Sequence, residues 1–398
     1  VNHNLLKFRY LLPLALLSVA FLAGCGGGGK SDTPQPSRSW KGFLPKTSYP
    51  INGNSSAAIV AADLNADSKP DLLMTDARNG FLRILFNRGD GRFGETVARP
   101  QGFDPRRAVT ADFDRDGKLD MALIGHFANG WTVRRGRGDG NFDDGSFYNL
   151  EAHGRYLLTA DFDHDGILDI AALSGGSGVL MALHVYRGAG DGTFTKTWFY
   201  QTESPNASGF AAADVTADGI PDIVIAGQGD DETPVIFFSG KGNGTFSGPT
   251  ALPGLAIPPR VTDGTNRLAL ADVTGDGKTD ILTTHNINYE MVAVRPSRGE
   301  GQFGEATRLE IGVPEDVSVA DLNRDGIPDI IATSGGSSTA SYFLGRGGGA
   351  FSAPVVLPVG LGPSALAIAD FNGDGWADMA TVNLAEGTVS VLLNAGEE

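Results

Sequence analysis

Asp112, Asp114, Asp116 and Asp120 place four carboxylates within nine residues, at positions 1, 3, 5 and 9 of a short run, with Gly117 at position 6. Anions packed so closely repel one another unless a cation holds them. Alternating carboxylates on a tight loop, with glycine where the backbone needs a positive φ, form an oxygen cage suited to Ca²⁺. The run recurs seven times, opening at Asp63, Asp112, Asp161, Asp214, Asp272, Asp321 and Asp370. Position 5 is then Asp67, Asp116, Asp165, Asp218, Asp276, Asp325 or Asp374, and position 9 is Asp71, Asp120, Asp169, Asp222, Asp280, Asp329 or Asp378. Position 3 varies: Asp114 and Asp163 are charged, Asn65, Asn323 and Asn372 are amides, and Thr216 and Thr274 offer a hydroxyl.

These side chains, with the backbone carbonyl at position 7, are the expected ligands of up to seven Ca²⁺ ions. By charge count the loops at Asp112 and Asp161 should bind most tightly. The first loop, with Ser68 at the glycine position, should be weakest. A cage filled by protein oxygens leaves little room for substrate, so the ions are expected to be structural. An EF-hand would add a bidentate Glu at position 12 and flanking helices, and neither is present.

The loops must be carried by a repeated scaffold. Successive first aspartates are 49, 49, 53, 58, 49 and 49 residues apart. Each loop follows a short apolar strand such as Leu366-Ala367-Ile368 and precedes another such as Ile170-Ala171-Ala172-Leu173. A third strand, such as 389–393, leads into Gly-Asp-Gly-x-Phe at 89–93, 138–142 and 190–194, with variants at 242–246, 299–303 and 347–351. Asp-Gly or Asn-Gly in a short loop predicts a primed hairpin turn with φ > 0 at both central residues. The Phe is expected to start a fourth strand and to pack between neighbouring sheets. Four short antiparallel strands in about 49 residues is the size of a propeller blade. The seventh unit stops at Asn394-Ala395-Gly396, before its Phe, while Lys41-Gly42-Phe43 precedes Asp63 by the interval that separates Phe194 from Asp214. Residues 40–50 are therefore expected to pair with 389–393 and close the ring. The sequence predicts an all-β fold, a seven-bladed β-propeller over residues 40–398.

Composition agrees. The chain has 398 residues, 56 of them glycine and one cysteine, with a net charge of −16. One cysteine excludes a disulfide scaffold, and the acidity argues against nucleic-acid binding through a basic surface. Nearly half of the 47 acidic residues sit in the seven loops, so seven Ca²⁺ would bring the chain near neutrality.

Residues 1–24 read as a signal peptide: Lys7 and Arg9 are basic, and residues 10–22 form an apolar core too short to span a bilayer comfortably. Leu22-Ala23-Gly24-Cys25 resembles the lipobox of bacterial lipoproteins, which implies acylation of Cys25 and explains the lone thiol; the alternative is an ordinary secretory signal. Residues 25–39, rich in Gly, Ser and Pro, make a flexible tether. Gly26 after the cysteine resembles the outer-membrane pattern. The expected location is thus the bacterial cell envelope, with membrane contact only through the lipid anchor.

The repeats resemble the FG-GAP or VCBS family, which includes the propeller of integrin α-subunits, through Asp-x-[Asp/Asn/Thr]-x-Asp-Gly-x-x-Asp. The resemblance implies Ca²⁺ loops between the first and second strands on the lower face, and ligand binding on the opposite, upper face. The period is broken by additions near 174–181, 229–233 and 250–267, all placed by strand order on the upper face. Binding loops and tolerated surface insertions both explain them. Five residues before each first Asp, near the mouth of the axial channel, stand Ala58, Arg107, Tyr156, Gly209, Arg267, Asp316 and Ala365. Arg107, Tyr156, Arg267 and Asp316, with Arg155 and His153 nearby, are the candidate ligand-binding residues for a sugar, carboxylate or peptide; alternatively Arg267 and Asp316 merely pair with each other. The histidines show no catalytic spacing. A binding or adhesion module for a glycan or protein is the favoured reading. A polysaccharide lyase-like enzyme on the same scaffold, or a structural subunit of an envelope complex, are the alternatives.

Overall fold

The computed structural model describes residues 39–397 except 52, 54–55, 126–127, 177–178, 203–206, 228–234, 253–266 and 286–289. The signal peptide, Cys25, nearly all of the tether, the addition at 229–233 and most of that at 250–267 lie outside the described residues. No helix occurs among the described residues.

Seven four-stranded antiparallel sheets form the blades. The second blade is representative: Pro105–Ala111, Asp120–Gly125, Gly130–Arg134 and Ser146–Asn149, paired in that order. The first strands of successive blades lie side by side round the axis. Second strands such as Asp120–Gly125 and Asp329–Ser334 are buried at every residue, because a sheet packs on each face. Their near-continuous apolar runs, without polar alternation, follow from that two-sided burial. Outer strands such as Ser146–Asn149 are mostly exposed.

Thr47–Pro50 pairs antiparallel with Thr388–Leu392, register Thr47↔Val391 to Pro50↔Thr388, and so supplies the outer strand of the seventh blade. Bridges Phe43↔Asn394 and Trp40↔Glu397 extend the seam, and Trp40 Nε1 donates to Asn394 Oδ1 at 2.7 Å.

Two sequence expectations are corrected. The Gly-Asp-Gly turns are three-residue loops, closed by bonds such as Arg88 N–H to Arg92 O and Arg137 N–H to Asn141 O. In the first four blades the positive φ values fall on the two glycines, for example Gly89 (88°) and Gly91 (73°), and not on the residue between. The middle side chain instead caps the turn: Asp90 Oδ1 accepts the Arg92 N–H. Local side-chain bonding selected the longer loop. The Phe starts the outer strand only in blade 3 (Phe194–Gln201); elsewhere it makes an isolated bridge, such as Asn87↔Phe93, or, at Phe303, a short hairpin with Ser297–Gly299, before that strand begins.

That Phe does pack between blades, and its partner is loop position 2. Phe371, Phe113 and Phe162, all buried, meet Phe93, Phe194 and Phe246 of the next blade edge to face, with centroids 5.3–5.5 Å apart. Backbone bonds follow the same seam: Gly91 N–H to Phe371 O, Gly140 N–H to Leu64 O, Gly192 N–H to Phe113 O and Gly244 N–H to Phe162 O. Each Asp-rich loop is thus docked on its neighbour's hairpin. Phe371→Ala opens a void where the first and last blades meet, and is expected to cost about 3–5 kcal/mol in denaturant unfolding; a change below about 1 kcal/mol would show that this pair does not hold the seam.

Candidate metal loops and axial mouth

Within each loop the carboxylates organise the backbone. Asp112 Oδ1 accepts the Asp116 N–H (3.0 Å) and Oδ2 the Gly117 N–H (2.9 Å). Asp114 Oδ1 also accepts the Asp116 N–H (3.2 Å), and Asp116 Oδ1 accepts that of Lys118 (2.9 Å). This wrapping needs left-handed backbone at two positions. Position 6 is Gly117 (φ 85°) here but Ser68 (φ 65°) in the first loop. Position 4 is left-handed as well, at Ala66, Arg115, His164, Ala217 and Arg324. Only Gly275 (φ 78°) and Gly373 (φ 76°) signal this at position 4 by residue type.

Position 9 has a role that the ligand pattern concealed. Asp71, Asp120, Asp169, Asp222, Asp280, Asp329 and Asp378 are all fully buried. One oxygen accepts the N–H of position 2, from Leu64, Phe113, Phe162, Val215, Val273, Leu322 or Phe371, at 2.8–3.1 Å. The other accepts an N–H at or just beyond the end of the third strand, from Asn87, Gly136, Gly188, Gly240, Ser297, Gly345 or Asn394, at 2.7–2.9 Å. Burial pushes the carboxyl pKa up to about 7 at Asp71 and Asp378 and to about 6 at Asp120, Asp169, Asp280 and Asp329; Asp222 is raised by the same cause.

The donor set fits a hard divalent cation. Carboxylate oxygens of Asp112, Asp114 and Asp116, and of Asp161, Asp163 and Asp169, lie within 4.8 Å of one another. Asp321 Oδ1, at position 1 of its loop, is a buried oxygen with no hydrogen-bond partner. A buried oxygen without a proton donor is costly, and a cation removes that cost.

At the other end of the first strands, the channel side chains are set by a repeated β-bulge. Register shifts fall between Pro105 and Arg107, Gly154 and Tyr156, Ala207 and Gly209, Pro314 and Asp316, and Pro363 and Ala365. The bulge re-aims the side chain that follows it. Carbonyls at the bulges accept from the preceding blade: Tyr156 Oη donates to Ser208 O (2.7 Å) and Arg267 Nε to Glu315 O (3.4 Å).

Four candidate residues converge there. The Arg107 guanidinium lies 5.3 Å from the Tyr156 ring centroid, a cation–π distance. Arg267 Nε is 3.9 Å from Asp316 Oδ1, and Asp316 also accepts N–H bonds from Val317 (3.1 Å) and from Leu366 of the next blade (3.0 Å). Burial, then the nearby Arg267, pushes Arg107 down to about 10. Two cations thus share one carboxylate among these four side chains. Arg155 is turned to other work, donating from Nε to Gly175 O at 3.2 Å, and the His153 carbonyl accepts the Gly175 N–H.

Two tests follow. Ser68→Gly relieves a left-handed serine and should stabilise by about 1 kcal/mol; unchanged unfolding would mean the loop holds no strain there. In metal-stripped protein the ninth-position carboxyls bind protons more tightly folded than unfolded, since their pKa values exceed the unfolded 3.8. Stability should therefore rise as pH falls from 7.5 to 5.5. His184 and His285, pushed down to about 4 by burial, oppose this below pH 6.5 but are outnumbered. A Tm that falls across this range in calorimetry would contradict the assignment.

The FG-GAP-like repeat model matches residues 63–123, 112–172, 161–225, 214–283, 272–332 and 321–381, each match opening at the first Asp of a loop. No curated protein matches. Among solved structures, BBS1N, crystallised in complex with ARL6DN and soaked with lead, is similar with a TM-score of 0.62 and 10% identity, over 89% of this chain and 98% of that one. A catalytically inactive virginiamycin B lyase from Staphylococcus aureus with quinupristin is similar with a TM-score of 0.51 and 10% identity, over 88% and 99%. At such identity these likenesses speak to the propeller fold alone. Six overlapping matches cover most of the sequence, and the chain belongs to the FG-GAP-like repeat family.

Proposed function

We propose that this protein is a calcium-stabilised, lipid-anchored binding module of the bacterial cell envelope, which takes an anionic group of a glycan or protein ligand at the axial mouth opposite the metal loops. The observation that carries the ligand reading is the convergence of Arg107 and Arg267 at the mouth, close enough that burial and then Arg267 lower Arg107, with Tyr156 and Asp316 beside them. A carboxylate or sulfate entering the mouth would relieve the repulsion and form charge-assisted bonds. Calcium is supported by the clustered carboxylates and the partnerless buried oxygen of Asp321. The anchor rests on Cys25 and its lipobox-like context.

A lyase-like reading would need a base beside the arginines. The Tyr156 hydroxyl donates to the Ser208 carbonyl, an arrangement that serves packing better than proton abstraction. Binding is therefore the better-supported reading.

Chelation by EGTA should lower Tm markedly and added Ca²⁺ restore it, since each site stabilises by about 2.7 kcal/mol at a hundredfold excess over Kd. An identical melting curve in EGTA and Ca²⁺ would remove calcium from the account. Oligogalacturonate should bind in calorimetry while a neutral oligosaccharide of equal length should not, and Arg107→Ala or Arg267→Ala should weaken binding at least tenfold. Equal binding of the neutral sugar would overturn the anionic-ligand reading, and release of unsaturated products would move the assignment to an enzyme.

A further inference from the structure

The two loops with an acidic third position are also the two with an arginine against it. Arg187 Nε lies 2.7 Å from Asp163 Oδ2, and its Nη2 lies 2.7 Å from Asp165 Oδ2. Arg135 Nε lies 3.4 Å from Asp114 Oδ2, while its Nη2 donates to Asp191 O at 2.6 Å in the hairpin of the next blade. Both arginines hold the same place in their repeats, immediately before Gly136 or Gly188, whose N–H caps the ninth-position carboxylate. In the other repeats that place is taken by Phe86, Ser239, Pro296, Leu344 or Leu393, and the third position is Asn or Thr. Charge at the third position and arginine at its neighbour therefore vary together within one chain.

The loops at Asp112 and Asp161 thus carry cations of their own. Lys118 reaches Asp116 at 3.2 Å, so in the second loop, as in the third, both the third and fifth carboxylates have a basic partner. An arginine bound to two ligand oxygens is an alternative to the metal, and each must displace the other's electrostatic share. We propose that Arg187, gripping two loop carboxylates, and Arg135, reaching Asp114 alone, are internal counter-cations that compete with Ca²⁺, so that the two most carboxylate-rich loops bind the ion more weakly than their charge count implies and keep their shape without it. The consequence reaches the opposite face. The first strands that end in these two loops, Pro105–Ala111 and Gly154–Ala160, carry Arg107 and Tyr156. The stacked pair at the mouth is then held in register when Ca²⁺ is scarce.

The inference rests on the calcium reading, and one experiment separates the two. Metal-stripped wild type, Arg187→Met and Asp163→Asn/Arg187→Met are titrated with Ca²⁺ by calorimetry and melted in EGTA and in excess Ca²⁺. Arg187→Met should tighten one site by about tenfold or more, lower Tm in EGTA, and leave Tm in excess Ca²⁺ near the wild-type value. The double variant should return both readouts toward wild type. If Arg187→Met fails to fold, Arg187→Lys, with the charge kept and the two-carboxylate grip lost, should give the same changes at smaller size. An unchanged or weakened isotherm, or an equal Tm loss in both conditions, makes the arginine an ordinary surface ion pair and overturns the competition. Absence of any Ca²⁺ uptake by wild type would instead sink the calcium reading itself.

Discussion

The ring depends on one hydrogen-bonding arrangement, the buried carboxylate at loop position 9. Each of its oxygens accepts a backbone N–H, one from the start of its own loop and one from the third-strand end. Charge-assisted bonds of this kind are stronger than neutral ones, and inside a dry interface an unmet N–H would be expensive. One side chain thereby pins the loop to the strand that feeds the hairpin. The hairpin in turn presents its glycine N–H and its Phe to the loop of the preceding blade. Local folding and ring assembly share the same residues.

That coupling explains why the loops are so regular while the outer strands are not. Loop positions 1, 2, 5, 6 and 9 each serve backbone or interface geometry, so they keep their type in nearly every repeat. Position 3 receives the fifth-position N–H where it is Asp or Asn, while Thr274 instead donates to Asp272, and there Asp, Asn and Thr all occur. The metal-ligand pattern and the structural pattern overlap because a carboxylate that organises N–H groups on one side has lone pairs left for a cation on the other.

On the opposite face, regularity of backbone supports diversity of side chain. The bulge before the channel position recurs round the ring, yet the residue it re-aims is Arg, Tyr, Gly, Asp or Ala. Cross-blade bonds from Tyr156 and Arg267 to bulge carbonyls give these side chains a packing role as well as a chemical one. A rigid ring with seven interchangeable positions is a scaffold on which a site is written by composition alone.

Seven blades, their order, the recurrence of the Asp-rich loops and the convergence of positions five residues before each loop were legible in the sequence, because each follows from a period near 49 residues and strand direction. The turn at 89–91 departs from the primed hairpin that Asp-Gly predicts, since propensity is local whereas the closing bond from Arg88 to Arg92 is set by how the strands meet. Left-handed backbone at Arg115 or His164 left no mark in residue type. The pairing of Arg187 with Asp163 and Asp165 was hidden because the residues lie more than twenty positions apart and meet only when the third strand folds back beside the loop. Periodicity, which is local and repeated, was enough to determine the architecture. Which charges face each other, and so what the two ends of the ring can hold, depended on contacts between blades and on burial, and these exist only once the ring is closed.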